Sequence, residues 1–171
     1  MKNALVLIPF SLSLMACNGI NEKEASLVYE TSLEIFQQIH DEAVLVEDET
    51  VEIGLSSGPS WEGAITISGT RTVNMEEIIY PLSVSFIDVY TIDTDITLNG
   101  QLSFGMANTP DQTDNISYES LVNIDGDLEV EGDAKGIAEL LLILTRSYDG
   151  EADRYTTLLE GTIGEHSTDA L

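Results

Sequence analysis

The sequence predicts a mainly β fold: an N-terminal amphipathic helix packed on a strongly curved antiparallel up-and-down sheet, half-barrel or barrel-like, of about seven strands. Three observations predict it. Apolar residues recur at helical spacing between Ala25 and Ala43. After Ala43 the period changes to two, with turn residues between the alternating runs. Glycines then fall inside several of those runs, in phase with their apolar residues.

In chain order, Met1-Lys2-Asn3 carries one positive side chain, and an apolar run follows from Ala4 to Leu14. A charged start and an apolar stretch of this length are the pattern of a secretory signal. A membrane-spanning helix needs roughly 20 apolar residues, so the run is too short to span. It closes on Leu14-Met15-Ala16-Cys17, and Cys17 is the only cysteine of the chain.

Residues 14–17 resemble the lipobox of bacterial lipoproteins, with an aliphatic residue at −3, a small residue at −1 and the obligatory cysteine. Met15 at −2 is larger than the usual residue. The resemblance covers residues 1–18 only. It implies cleavage between Ala16 and Cys17, a diacylglyceryl group on the Cys17 sulfur, and an acylated (palmitate-type) N-terminus. Asn18 follows the cysteine where an Asp would imply inner-membrane retention, so in a Gram-negative cell the resemblance points to the outer membrane. More than one acyl chain is needed for firm membrane binding, which fits this chemistry. The expected organisation is a signal peptide over 1–16, a lipidated N-terminus and tether over 17–24, a single helix-plus-sheet domain over 25–165, and a disordered tail over 166–171.

Asn21 with Glu24 three residues later is the pattern of a capping box. Behind it, Ala25, Val28, Tyr29, Ser32, Ile35, Phe36, Ile39 and Ala43 form one apolar stripe, while Glu30, Glu34, Gln37, Gln38 and Asp41 fall elsewhere. The polar face is acidic, which argues against a membrane-surface helix and for packing on the sheet.

In the β region, Asn99-Gly100 and Asp125-Gly126 look like two-residue hairpin turns. Phase argues against that. A turn at Asn99-Gly100 would pair Leu98 with Gln101, and paired residues share a face. If the strand runs straight through, Ile96, Leu98, Gly100, Leu102 and Phe104 share one face. So do Val122, Ile124, Gly126, Leu128 and Val130, and so do Leu159, Gly161 and Ile163. Ile65, Ile67, Gly69 and Val73 follow the same phase, with Arg71 as the exception. A strand glycine marks a bend or a close approach, hence the curved sheet. Residues 136–148 (GIAELLLILTRSY) are apolar at consecutive positions and are expected as a strand buried on both faces.

The charge narrows function. Of six Lys and Arg residues, Lys2 leaves with the signal, while all 31 Asp and Glu remain. Phosphates would be repelled, which argues against nucleic acid. The same field opposes direct adsorption to anionic lipid, leaving the acyl group as the membrane contact. A solvated acidic surface is the plain reading of such a composition.

No G-x-S-x-G, P-loop or H-E-x-x-H pattern is present. His40 falls at the polar margin of the helix and His166 in the tail, neither within a motif, and one cysteine excludes a zinc site of the Cys/His kind. Asp93/Asp95, Asp125/Asp127 and Asp149/Glu151/Asp153 have the oxygen-rich spacing of calcium loops, but none completes an EF-hand. No catalytic residue, cofactor or metal ligand is therefore assigned. The expected function is that of a non-enzymatic, membrane-anchored envelope lipoprotein with a structural or partner-binding role, its concave sheet filled by the helix. The alternative is binding or transport of a lipid or other apolar ligand in the concave sheet. A second alternative is a divalent-cation-dependent surface protein.

Overall fold

The computed structural model describes residues 19–74, 77–110, 117–150, 152 and 154–171. Asn21 starts the one long helix, α1 (Glu22–Val44). Its side chain accepts from the Glu24 backbone N–H at 3.1 Å, and the Glu24 carboxylate accepts from the Asn21 N–H at 2.8 Å. The expected capping box is thus closed in both directions. Every residue of the apolar stripe except Tyr29 is fully buried, and Thr31 and His40 are buried beside it.

The β region forms one sheet of nine antiparallel strands. Seven are long: β1 (Thr50–Ser57), β2 (Trp61–Thr70), β4 (Ile78–Thr91), β5 (Ile96–Pro110), β6 (Tyr118–Gly132), β7 (Gly136–Asp149) and β8 (Arg154–Ile163). Two are two-residue additions: β3 (Thr72–Val73) on β4, and β9 (His166–Ser167) on β8. The long strands follow one another in chain order as a meander. The sheet does not close into a barrel: β1 forms one margin, β8 with β9 the other.

The glycine segments run through their strands, as phase requires. Gly100 and Gly126 sit mid-strand in β5 and β6, opposite Leu128 and Leu102. Their φ values of +145° and +141° suit only glycine. A Cβ on Gly100 would lie 2.5 Å from the Asp127 carbonyl oxygen, and one on Gly126 would lie 2.7 Å from that of Gln101. The missing side chain therefore admits the neighbouring backbone as well as an unusual dihedral.

The inner face holds the core. Ile65, Ile67, Val84, Leu98, Leu102, Ile124, Leu128, Leu140 and Leu142 join Ile35, Phe36 and Ile39 of α1 in one cluster. The Phe36 and Phe104 rings meet edge to face with centroids 5.4 Å apart.

Four expectations need correction. β7 is a strand but is buried on one face only: Leu140, Leu142 and Leu144 are buried, whereas Leu141 is 62% and Ile143 42% exposed. No second layer covers the outer face in this chain. β2 stops at Thr70, where Arg71 leaves the inner face to reach the Tyr80 hydroxyl and the Glu47 carbonyl, and Val73 is exposed. A guanidinium finds its acceptors outside the apolar row, so the alternation breaks there. The segment expected as tether is docked: Ile20 is buried and α1 begins at Glu22. Residues 166–171, expected as a disordered tail, form β9 and a 3₁₀ turn (Thr168–Ala170). Thr168 Oγ1 accepts from the Gly161 N–H at 3.0 Å there, satisfying an otherwise free edge donor.

Candidate functional site

The residues assigned to acylation and cleavage, Cys17 and Ala16, lie outside the described residues. The calcium-like spacings do not converge. Asp125 and Asp127 are exposed on strand β6, and Asp95 accepts from the Tyr90 hydroxyl in the β4–β5 turn. Asp149 accepts from the Ala152 N–H, while Glu151 and Asp153 lie outside the described residues. Among the described residues no three His, Cys, Asp or Glu side chains are grouped to hold a metal ion.

The chemistry that the fold does assemble lies on the inner face, beyond the apolar core and beside the C-terminal part of α1. Register pairs place Asn108 beside Ser120, Ser120 beside Arg146, and Arg146 beside Thr157, so one polar row crosses β5 to β8. Directly paired residues share a face at roughly 5 Å. Ser120 is fully buried, Arg146 is 7% and Asn108 9% exposed.

Arg146 is the hub of this row. Its Nη2 donates to Asp41 Oδ2 of α1 at 2.6 Å and its Nη1 to Thr157 Oγ1 at 3.0 Å. Its guanidinium carbon lies 4.6 Å from the centre of the Tyr155 ring. His40 is buried rather than marginal: its Nδ1 meets Asp41 Oδ1 at 3.0 Å and its ring stacks on Tyr118 at 6.3 Å. Tyr118, Tyr148 and Tyr155 form a ladder over the next row, with successive centroids 5.9 and 4.7 Å apart. Burial, with the proximity of Tyr155 adding to it, pushes the Tyr118 phenol up to about 12.

Four side-chain atoms of this end are buried with no protein partner: His40 Nε2, Asn108 Oδ1, Ser120 Oγ and Arg146 Nε. Such atoms suit bound water or a small polar molecule, since an unmet buried polar group costs about 1–3 kcal/mol. Asp41 already neutralises Arg146, so the row offers hydrogen bonds rather than net charge. Ser120 and His40 do not bond to each other, so a nucleophile–base pair is not formed. His166, expected in the tail, lies in β9, where its Nε2 approaches the Ile20 carbonyl at 3.2 Å.

Two surface features accompany this site. On the outer face, Leu121 and Leu158 flank Thr145 from either side, and Leu141 and Ile143 continue along the same strand. All four are 42–62% exposed, and Asp125, Glu139 and Glu160 border them. At the start of β1, an open hollow of about 990 Å³ is lined by residues 45–50 and Glu52, four of them acidic.

Sequence reasoning missed Arg146, Asp41, Ser120, Asn108 and Tyr118. One signal was readable: Arg146 shares the phase of Leu140, Leu142 and Leu144, a cation at an inward position of an apolar face. No family model, no curated protein and no solved structure matches this chain.

Proposed function

We propose that this is a non-enzymatic, lipid-anchored envelope protein that acts by contact with a protein partner. Cys17, acylated after cleavage at Ala16, is the membrane attachment, in the outer membrane if the cell is Gram-negative. Among the described residues no helix is long and apolar enough to cross a membrane.

The half-barrel reading draws support from contacts of α1. Tyr29 Oη donates to the Leu159 carbonyl of β8, and Gln38 Nε2 to the Ser57 carbonyl of β1, each at 3.5 Å. These strands are the two margins of the sheet. Laid flat, seven strands would hold their margins about 30 Å apart. One helix, about 10 Å across, reaches both only if the sheet bends round it. The concave face is then occupied by Ile35, Phe36 and Ile39, each at most 1% exposed. This favours a filled core over a lipid or apolar-ligand carrier.

The observation that carries partner binding is the outer cluster of Leu121, Leu141, Ile143 and Leu158. Scattered exposed apolar residues are ordinary, but a contiguous group on a sheet face with an acidic border is a docking feature. A photo-crosslinking residue in place of Leu141, in the full chain in its own cells, is expected to yield one discrete protein adduct, while the same residue at Thr66 of β2 yields none. Equal background at both positions would remove the support for a partner there. A lipid-sized mass carried by the purified domain in native mass spectrometry would move the function to the concave face.

A further inference from the structure

The chain enters the sheet almost at once after the cysteine. β8 pairs with β7 as far as Ile163 opposite Leu140, and the Gly164 N–H donates to the Glu139 carbonyl. Beyond that point Gly19 takes the vacant place beside β7, in a parallel bridge to Ile137. Ile20 is 6% exposed, and its carbonyl accepts from His166 Nε2 at 3.2 Å. Glu24, already in the capping box, also accepts from the Lys135 N–H of the β6–β7 turn at 3.2 Å. The β6–β7 and β4–β5 turns are joined by the Asp133 N–H donating to the Asp95 carbonyl at 3.1 Å. All these contacts lie at one end of the sheet. The Arg146 row and the tyrosine ladder lie towards the other.

Cys17 is two residues from Gly19, a reach of at most about 7 Å even fully extended. A chain held at Gly19, Ile20 and Asn21 has no slack with which to swing. We propose that the protein stands on the membrane in a fixed pose, with the β4–β5 and β6–β7 turns at the headgroups and the Tyr118–Arg146 end directed away. This rests on the reading of Cys17 as the acylated residue.

The surface of the anchored end fits that place. Ile92, at the tip of the β4–β5 turn, is 54% exposed, and Ile137, beside the entry of the chain, is 51% exposed. Asp93, Asp95 and Asp133 on the same turns oppose deep insertion next to anionic lipid, so the end rests at the headgroup level rather than below it. β6 has 15 residues, and at about 3.3 Å each it carries the opposite end some 45 Å away. That is several screening lengths at physiological salt, where the membrane's charge no longer acts. The pose therefore presents the polar row outward, and the outer apolar cluster sideways to the membrane plane.

Acylation of the only cysteine leaves an introduced one as the single free thiol. The full lipidated chain carrying Ile92→Cys or Leu45→Cys, each labelled with a fluorophore, would be placed in phosphatidylethanolamine/phosphatidylglycerol vesicles containing headgroup spin-labelled lipid. Leu45 is 75% exposed just beyond the C-terminus of α1, so both sites tolerate the label. The Ile92 label is expected to be quenched at least threefold more than the Leu45 label. Insertion of ten Gly/Ser residues after Asn18 is expected to abolish the difference. Equal quenching in the uninserted chain, with the protein still floating with vesicles, overturns the fixed pose alone. Failure to float overturns the anchor reading, and the pose with it.

Discussion

The two halves of the inner face are built on different physics. Towards the anchored end and the middle, Ile65, Leu102, Ile124, Leu142 and Phe104 meet Phe36 and Ile39 of α1, and no polar side chain intervenes among them. Stability there comes from removing apolar surface from water. Towards the far end the same strands turn inward Asn108, Ser120 and Arg146, and α1 contributes His40 and Asp41. The inner alternation is continuous, yet the chemistry changes within a few residues along each strand. A fold that needed only a core would continue the apolar rows. The polar row is where this sheet gives up burial for hydrogen-bonding capacity, some of it unmet by protein.

The largest effect that would test this contrast is in the apolar half. Phe36→Ala removes a fully buried ring and its edge-to-face contact with Phe104. It is expected to destabilise by about 4 kcal/mol in urea unfolding. A loss under about 1 kcal/mol would mean that α1 is not part of the core.

A smaller change probes the polar half. Ser120 is fully buried and its hydroxyl has no protein partner. Ser120→Ala is expected to raise stability by about 1 kcal/mol, because an unmet buried hydroxyl is removed. A loss of stability instead would show that Ser120 Oγ holds a bound water or ligand, and would mark the row as an occupied site.

The smallest effect is electrostatic. The Tyr118 phenol is pushed up to about 12, chiefly by burial, whereas an unfolded tyrosine ionises near 10. The folded state then binds this proton more tightly than the unfolded state. The contribution is complete below pH 10 and is lost as pH rises from about 10 to 12. Tyr118 is only partly buried, so solvent screening holds the loss to about 1 kcal/mol. Urea unfolding at pH 9 and 11.5 should differ by about that amount more in the native chain than in Tyr118→Phe. An equal pH response in both would place the ladder in free solvent.

The contrast between the halves also explains what could be read in advance. The apolar half was legible because both of its signals are local. The capping box at Asn21 and Glu24 and the stripe from Ala25 to Ala43 need only helical spacing. The passage of β5 and β6 through Gly100 and Gly126 needs only the period of two. The polar half joins residues far apart in the chain. Asp41 and Arg146 are 105 positions apart, and no spacing rule links them. His40 looked marginal because the turn of α1 that carries it is polar on both sides, and only Tyr118 of β6 covers it. β7 looked buried on both faces because composition does not say whether a second layer exists.

The sequence by itself determined which segments are helix and strand, which side chains share a face, the acidic character of the surface and the lipobox-like start. These follow from periodicity and covalent order, which are written residue by residue. The tertiary structure alone decided that Ile20 and residues 166–171 dock, that the Leu141 face stays uncovered, and that Arg146 finds Asp41 over a row of unmet polar atoms. Those outcomes depend on which distant surfaces meet, because burial and pairing free energies arise only when the chain has brought them together.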